Sequence, residues 1–219
     1  AIEKALPVAT VLTIPAAGSE QSVRIVINHQ SLKLGTASEA IRPVLSVVNP
    51  ELFYTLPKYQ IAAGVVDMIS HIFERYFTNT PAVDYVSAQS EAAIRTAMTF
   101  GVKLMGNPAD YDAWCQVAMV GSWAHNGYFG LGREEDWACH AMEHELSAYD
   151  PTIAHGAALA VLTPCWMRYV ADVNPERMLA FARNIMGVET VEAGIEALEA
   201  FYAKLEMPKK LSEFGLTEK

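Results

Sequence analysis

Three of the chain's six histidines fall between His140 and His155. His140 and His144 stand i, i+4 in HAMEH. A second couple, Asp67 and His71, stands i, i+4 in GVVDMISHIFERYF. On a helix that spacing puts both side chains on one face, roughly 5–6 Å apart at Cβ. Two such couples, with His155 closing the Pro151–Gly156 turn, supply carboxylate and imidazole groups in the number a catalytic metal site needs. Asp67 lies among Val65, Val66, Met68 and Ile69, where a carboxylate is costly unless paired or coordinated. A helix N-cap is its competing role, but the helical pattern begins well before it. A mixed Asp and His donor set suits Fe(II) or Zn(II), and the task of such an ion is Lewis-acid polarisation of a carbonyl or alcohol oxygen. HAMEH is not the zincin HExxH, whose glutamate directly follows the first histidine as general base, so a protease is disfavoured. His29 and His125 stand alone and are expected at surface or turn positions, His125 close in sequence to the candidate site.

The elements that must carry these groups change character near residue 50. Before it, PVATVLTIP, SVRIVIN and PVLSVVNP are β-branched runs bounded by turn residues and predict strands. Gly18-Ser19 separates the first two, and Asn28 to Ser31 ends the second. PVATVLTIP is apolar on both faces, as a buried parallel strand would be. It has only Ala1 to Leu6 before it, so it is expected to lack sheet partners. After residue 50 the pattern is helical. LPKYQIAAGVVDMISHIFERYF places Pro57 near a first turn. Helices are then expected over 82–105, 110–129, 137–149, 155–171, 176–186 and 190–205. The division is residues 1–50, β, and residues 51–219, all-helical. No GxGxxG or Walker phosphate loop is present, and the chain reads as the C-terminal part of a larger α/β protein.

Composition narrows the function class. Of the 219 residues, 52% are hydrophobic and 19% charged, ample for a core. A net charge of −9 argues against nucleic acid and anionic membranes as partners. Cys115, Cys139 and Cys165 form no zinc-ligand pattern. Scattered thiols fit a reducing cytoplasm. Cys139 adjoins His140, but neighbouring helix positions do not share a face. No apolar run reaches the ~18 residues of a membrane span.

The D-x3-H of AAGVVDMISHIFERYF, and DWA followed by HAMEHELSAYDPTIAHGAALAVLTPCWMRYV, closely resemble the iron-containing alcohol dehydrogenases, nearest their butanol dehydrogenase-like branch. The resemblance covers essentially the whole chain. It implies the helical metal domain of a dehydroquinate-synthase-like fold, preceded by a β remnant of an α/β dinucleotide-binding domain. It implies Asp67, His71, His140 and His155 as ligands to Fe2+ or Zn2+, and His144 as a non-ligand histidine near the substrate that could relay a proton. Ile14 to Glu20 resembles the family's TxGTGSE turn, with Ala17 at the usual threonine. Gly18, Ser19 and Lys33 are thereby the implied contacts to NAD or NADP. Arg24 reads as a solvated strand position. The family's GGGS pyrophosphate segment would lie upstream of Ala1, so the 219 residues alone are expected to bind NAD(P)H poorly. The implied reaction is hydride transfer between NAD(P)H and a small neutral aldehyde or alcohol, in a cytoplasmic homodimer or higher homo-oligomer. Trp123, Tyr128, Phe129 and Trp137 are the apolar groups expected near the site, two of them as core. The alternatives are a dehydroquinate-synthase-like lyase or cyclase, which needs more cations than HAMEHELSAYDPTIAHG offers, and a truncated non-catalytic metal-binding module.

Overall fold

The computed structural model describes residues 2–29 and 32–216. Its axis is α1 (Lys58–Tyr76), every residue of which from Ile61 onward is buried. A helix apolar on all sides must be surrounded, and α1 is: it packs against α2 (Asp84–Gly106), α3 (Tyr111–Ala124), α4 (Ala138–Tyr149) and α5 (His155–Val170). Two further helices, α6 (Pro175–Ala180) and α7 (Val191–Lys204), close the far side. Because α1 starts at Lys58, Asp67 lies mid-helix, and the N-cap role falls away.

Local chemistry sets the helix ends. The Asp110 carboxylate accepts from Ala113 N at 2.9 Å at the start of α3, and Asn174 and Thr190 cap α6 and α7 in the same way. The single helix expected over 110–129 is instead broken after Ala124. Asn126 turns its side chain onto the Tyr128 amide, and Gly127 adopts φ +100°, a left-handed conformation open to glycine. The helix expected over 176–186 likewise divides into α6 and a π-helical stretch, Phe181–Met186.

The strands pair in two small sheets. Ala9–Val11 (β1) runs parallel to Leu45–Val47 (β4), with Ala9 opposite Leu45. PVATVLTIP therefore has a partner, contrary to expectation, and its paired stretch β1 is not buried, with Val11 60% exposed, although Leu12 beside it joins the core. Arg24–His29 (β2) pairs antiparallel with Leu32–Ala37 (β3). The sequence reading did not anticipate β3, whose Gly35 and short alternation weaken the strand signal. The remainder of the expected turn, Gln30 and Ser31, lies outside the described residues. β3 leans on α4.

Candidate metal centre and its cavity

Asp67 and His71, one turn apart on α1, meet His140 from the first turn of α4 and His155 from the first residue of α5. Asp67 Oδ1 is the common point. It lies 3.0 Å from His71 Nδ1, 3.7 Å from His140 Nε2 and 3.5 Å from His155 Nε2. Four ligands at ~2.1 Å around a tetrahedral ion sit about 3.4 Å apart, and the three contacts to Asp67 Oδ1 are of that size; Asp67, His71 and His140 lie mutually close, while His155 also groups with Glu143 and His144. Two of the atoms, Asp67 Oδ1 and His140 Nε2, are buried and have no hydrogen-bond partner among the described residues. A carboxylate and an imidazole nitrogen left so are costly without a cation between them. The donor set thus fits the metal that the residue spacing implies. Asp67, His71 and His140 are sealed, whereas the His155 side chain is 28% exposed and forms the open rim.

In His140 and His155 the nitrogen turned away from Asp67 meets a carboxylate, whereas His71 turns the same Nδ1 to the Asp67 carboxylate and to its carbonyl. His71 Nδ1 lies 2.9 Å from the Asp67 carbonyl. Glu74, buried on α1, accepts from the His140 backbone N–H at 2.9 Å and from its Nδ1. Glu143, fully buried, lies against His155 Nδ1. Carboxylates behind ligand imidazoles hold the tautomer and the ring angle. Sequence reasoning missed Glu74. Its signal was there, an acid on the face of Asp67 and His71, three residues after His71. Glu143 was read only as the glutamate that breaks HExxH.

Charge follows this geometry. Burial opposes ionisation of Asp67, yet His71, His155 and His140 hold its carboxyl well below the usual range. Burial also works against imidazolium at His140, but Asp67 and Glu74 outweigh it and raise that residue to about 9. Burial pushes His71 down. Burial, with Lys33 nearby, pushes His144 down to about 4.

The centre forms the floor of a cavity of about 700 Å³. Its opposite wall is built from Ser19, Ser22 and the β2–β3 hairpin, including Lys33. The wall joins the bundle where Gly18, at φ +61°, crosses α3: a Cβ there would stand 2.8 Å from the Gly121 carbonyl. The Lys33 ammonium donates to Glu143 Oε2 at 3.1 Å and to Ser147 Oγ at 2.8 Å. His144 lines the cavity, its ring 5.8 Å from that of His155.

Two residues depart from expectation. His125 is the last-turn cap of α3, half-buried, with its ring 4.3 Å from that of His71. Its Nδ1 accepts from Arg75, a buried guanidinium that also donates to the carbonyls of His71 and Ala124 and stacks 4.5 Å over Trp137. Burial and these neighbours push His125 down to about 2. Arg24 is exposed as expected, but its guanidinium lies 5.3 Å over Trp137 and it lines the cavity. Of the four aromatics, Trp137 lines the cavity, Phe129 is core, Tyr128 packs on the core and Trp123 is 40% exposed. Cys139 is buried and turned away, toward Thr163.

Comparison with known proteins accords with this site. The chain is 37% identical to NADH-dependent butanol dehydrogenase A of Clostridium acetobutylicum, over 98% of this chain and 58% of that protein. It is 32% identical to the NADPH-dependent aldehyde reductase YqhD of Escherichia coli, over 98% and 57%. The crystal structure of NADH-dependent butanol dehydrogenase A from Thermotoga maritima superposes with a TM-score of 0.95 at 40% identity, covering 99% of this chain and 56% of that one. The chain therefore spans somewhat over half the length of these relatives. The family model for the C-terminal part of the Fe-containing alcohol dehydrogenases matches residues 61–219, the segment that contains Asp67 and the three histidines around its Oδ1. The chain belongs to the iron-containing alcohol dehydrogenase family.

Proposed function

We propose that the protein is a metal-dependent alcohol dehydrogenase or aldehyde reductase that moves hydride between NAD(P)H and a small neutral aldehyde or alcohol. The observation that carries this reading is the convergence of Asp67, His71, His140 and His155, with two buried unpartnered donor atoms, on the floor of a cavity. The names of the relatives, butanol dehydrogenase and aldehyde reductase, support it. These four residues would hold Fe2+ or Zn2+. When bound, the ion supplies Lewis-acid polarisation of a carbonyl oxygen and the dinucleotide supplies the hydride.

The protein's part is placement. Glu74 accepts from His140 Nδ1 and Glu143 Oε2 lies against His155 Nδ1, so that Nε2 of each histidine faces Asp67. The Gly18-Ser19 turn and the hairpin form the cofactor side of the cavity, with Lys33 within it. His144 stays neutral at neutral pH, so it can take a proton at one ring nitrogen while releasing one to the substrate oxygen from the other. Trp137 gives the pocket an apolar wall. Of the two cations lining it, Lys33 is paired with Glu143, which leaves Arg24, over Trp137, as the one cation there without a carboxylate partner among the described residues. That favours a neutral substrate over the anionic one of a lyase or cyclase.

Cytoplasmic location and a homodimeric or higher assembly belong to the same proposal. The three free cysteines support the first, and no described helix is long and apolar enough to cross a membrane. The test is aldehyde-dependent oxidation of NADH and NADPH by the metal-loaded full-length gene product. Butyraldehyde should be reduced faster than succinic semialdehyde. Preference for the anion would overturn the substrate assignment. Tight metal binding with no aldehyde-dependent oxidation would leave a non-catalytic metal module.

A further inference from the structure

Lys33 sits on β3, yet its ammonium reaches α4, 110 residues on, rather than standing free in the cavity. It donates to Glu143 Oε2 at 3.1 Å and to Ser147 Oγ at 2.8 Å, one helical turn away. The two acceptors are linked, since Ser147 Oγ donates to the Glu143 carbonyl at 3.2 Å. The Lys33 side chain is 14% exposed and that of Glu143 not at all. A carboxylate with no access to water needs its charge matched by neighbours. Among the described residues, Glu143 has two such neighbours, Lys33 and the imidazole of His155. Its other oxygen, Oε1, has no hydrogen-bond partner among the described residues, so its polar contacts run through Oε2. Oε2 touches both Lys33 and His155 Nδ1, and His155 Nε2 faces Asp67 Oδ1 at 3.5 Å.

We propose that Lys33 is a positioning residue for the metal centre: it pins Glu143, Glu143 pins His155, and the β2–β3 hairpin thereby sets metal affinity from outside the helical bundle. This rests on the reading that Asp67, His71, His140 and His155 hold the ion. It assigns Lys33 a role that exists with no dinucleotide present. The physical basis is that removing the ammonium takes away the cation paired with the buried carboxylate and leaves His155 as its remaining contact at Oε2. His155, the exposed rim ligand, then loses the contact that sets its ring angle. The coupling is reciprocal, as thermodynamic linkage requires: metal bound at His155 tightens the hairpin on α4, and a ligand that draws Lys33 away weakens the metal.

The experiment is calorimetric titration of Zn2+ and Co2+ into the intact, metal-stripped protein without dinucleotide. The variants are Lys33→Met, His155→Ala, the double variant and Lys33→Arg. Loss of a partner behind a metal ligand costs about 10- to 100-fold in affinity, and that is expected for Lys33→Met. Lys33→Arg keeps the charge and should lose less than Lys33→Met. In the His155→Ala background, Lys33→Met should cost less than about twofold more, because the path through His155 is already cut. The visible spectrum of bound Co2+ should shift in Lys33→Met toward that of His155→Ala. Unchanged affinity in Lys33→Met would overturn the proposal and leave Lys33 to the cofactor. An equal loss in both backgrounds would also overturn it, showing a general structural effect of the hairpin. If the unsubstituted protein does not bind metal, or His140→Ala binds as well as it does, the ligand assignment itself fails and takes this inference with it.

Discussion

Substituting Gly156 by alanine tests the placement of His155 without touching any ligand. Gly156 follows His155 in the first turn of α5, where that helix crosses α1. A Cβ at this position would stand 1.9 Å from the Ala63 carbonyl oxygen, 2.7 Å from its carbon and 2.9 Å from its Cα. All three are backbone atoms of a buried helix, so no side chain can swing aside. Bringing the closest contact to 3.0 Å requires a displacement of at least ~1.1 Å between α5 and α1, an overpacking that costs about 1–3 kcal/mol. For a chain of this size the melting temperature should fall by roughly 2–12 °C. The displacement falls on the ligands, because His155 moves with α5 and Asp67 with α1. Metal sites tolerate about 0.2 Å in ligand distance. A shift five times larger should therefore weaken metal binding more than it weakens the fold, by at least the ~10- to 100-fold expected when a ligand loses its support. Denaturant unfolding of the metal-free protein gives the stability term, and Zn2+ titration gives the affinity. If Gly156→Ala unfolds at the original midpoint and binds Zn2+ within about twofold of the original, the close approach of the two helices does not set the centre, and the reasoning fails.

Other substitutions separate the groups around the ion. His140→Ala should abolish tight metal binding while His144→Ala leaves it largely in place. Equal loss in both, measured by metal analysis after dialysis, would show that their roles are wrongly divided. Glu74→Gln should lower metal affinity about 10- to 100-fold with the helical circular dichroism unchanged. Full affinity would mean that Glu74 does not orient His140. Metal itself should stabilise the fold, by about 2.7 kcal/mol at 100 times its dissociation constant. Chelation should therefore lower the melting temperature, and a midpoint indifferent to metal would refute the site. Burial pushes the Cys139 thiol far up, so at pH 8 it should resist a disulfide reagent until the protein unfolds. The exposed Cys165 should react at once, and rapid labelling of Cys139 in the native protein would contradict its packing.

The sequence alone carried the candidate ligand residues and the helices that bear them. Asp67 and His71, and His140 and His144, are one turn apart, and i, i+4 geometry is a local property that spacing reveals. Helix α4 and the start of α5 are equally local, and DWA…HAMEHELSA…AHG was enough to recognise the family. What the tertiary structure decided is non-local. Arg75 lies on a helix buried on every side, where nothing local marks a charged residue as inward, and Glu74 shares the face of Asp67 and His71 but meets His140 only because α4 packs there. Which of the two α4 histidines meets Asp67 depends on how α4 is rotated against α1. By spacing alone His144 and His140 look equivalent; the family resemblance implied His140 as the candidate ligand, and the contact with Glu74 accords with it. His125 became part of the site because α3 ends at Ala124, its Nδ1 seated on Arg75, 50 residues earlier in the chain. Lys33 and Glu143, 110 residues apart, meet only because a hairpin folds onto α4. Strand pairing shows the same division: PVATVLTIP is apolar enough to be a strand by itself, but its partner and its exposure depend on Leu45–Val47 reaching it across the fold. Spacing along the chain determines which groups share a face, and the packing of one element on another determines which faces meet.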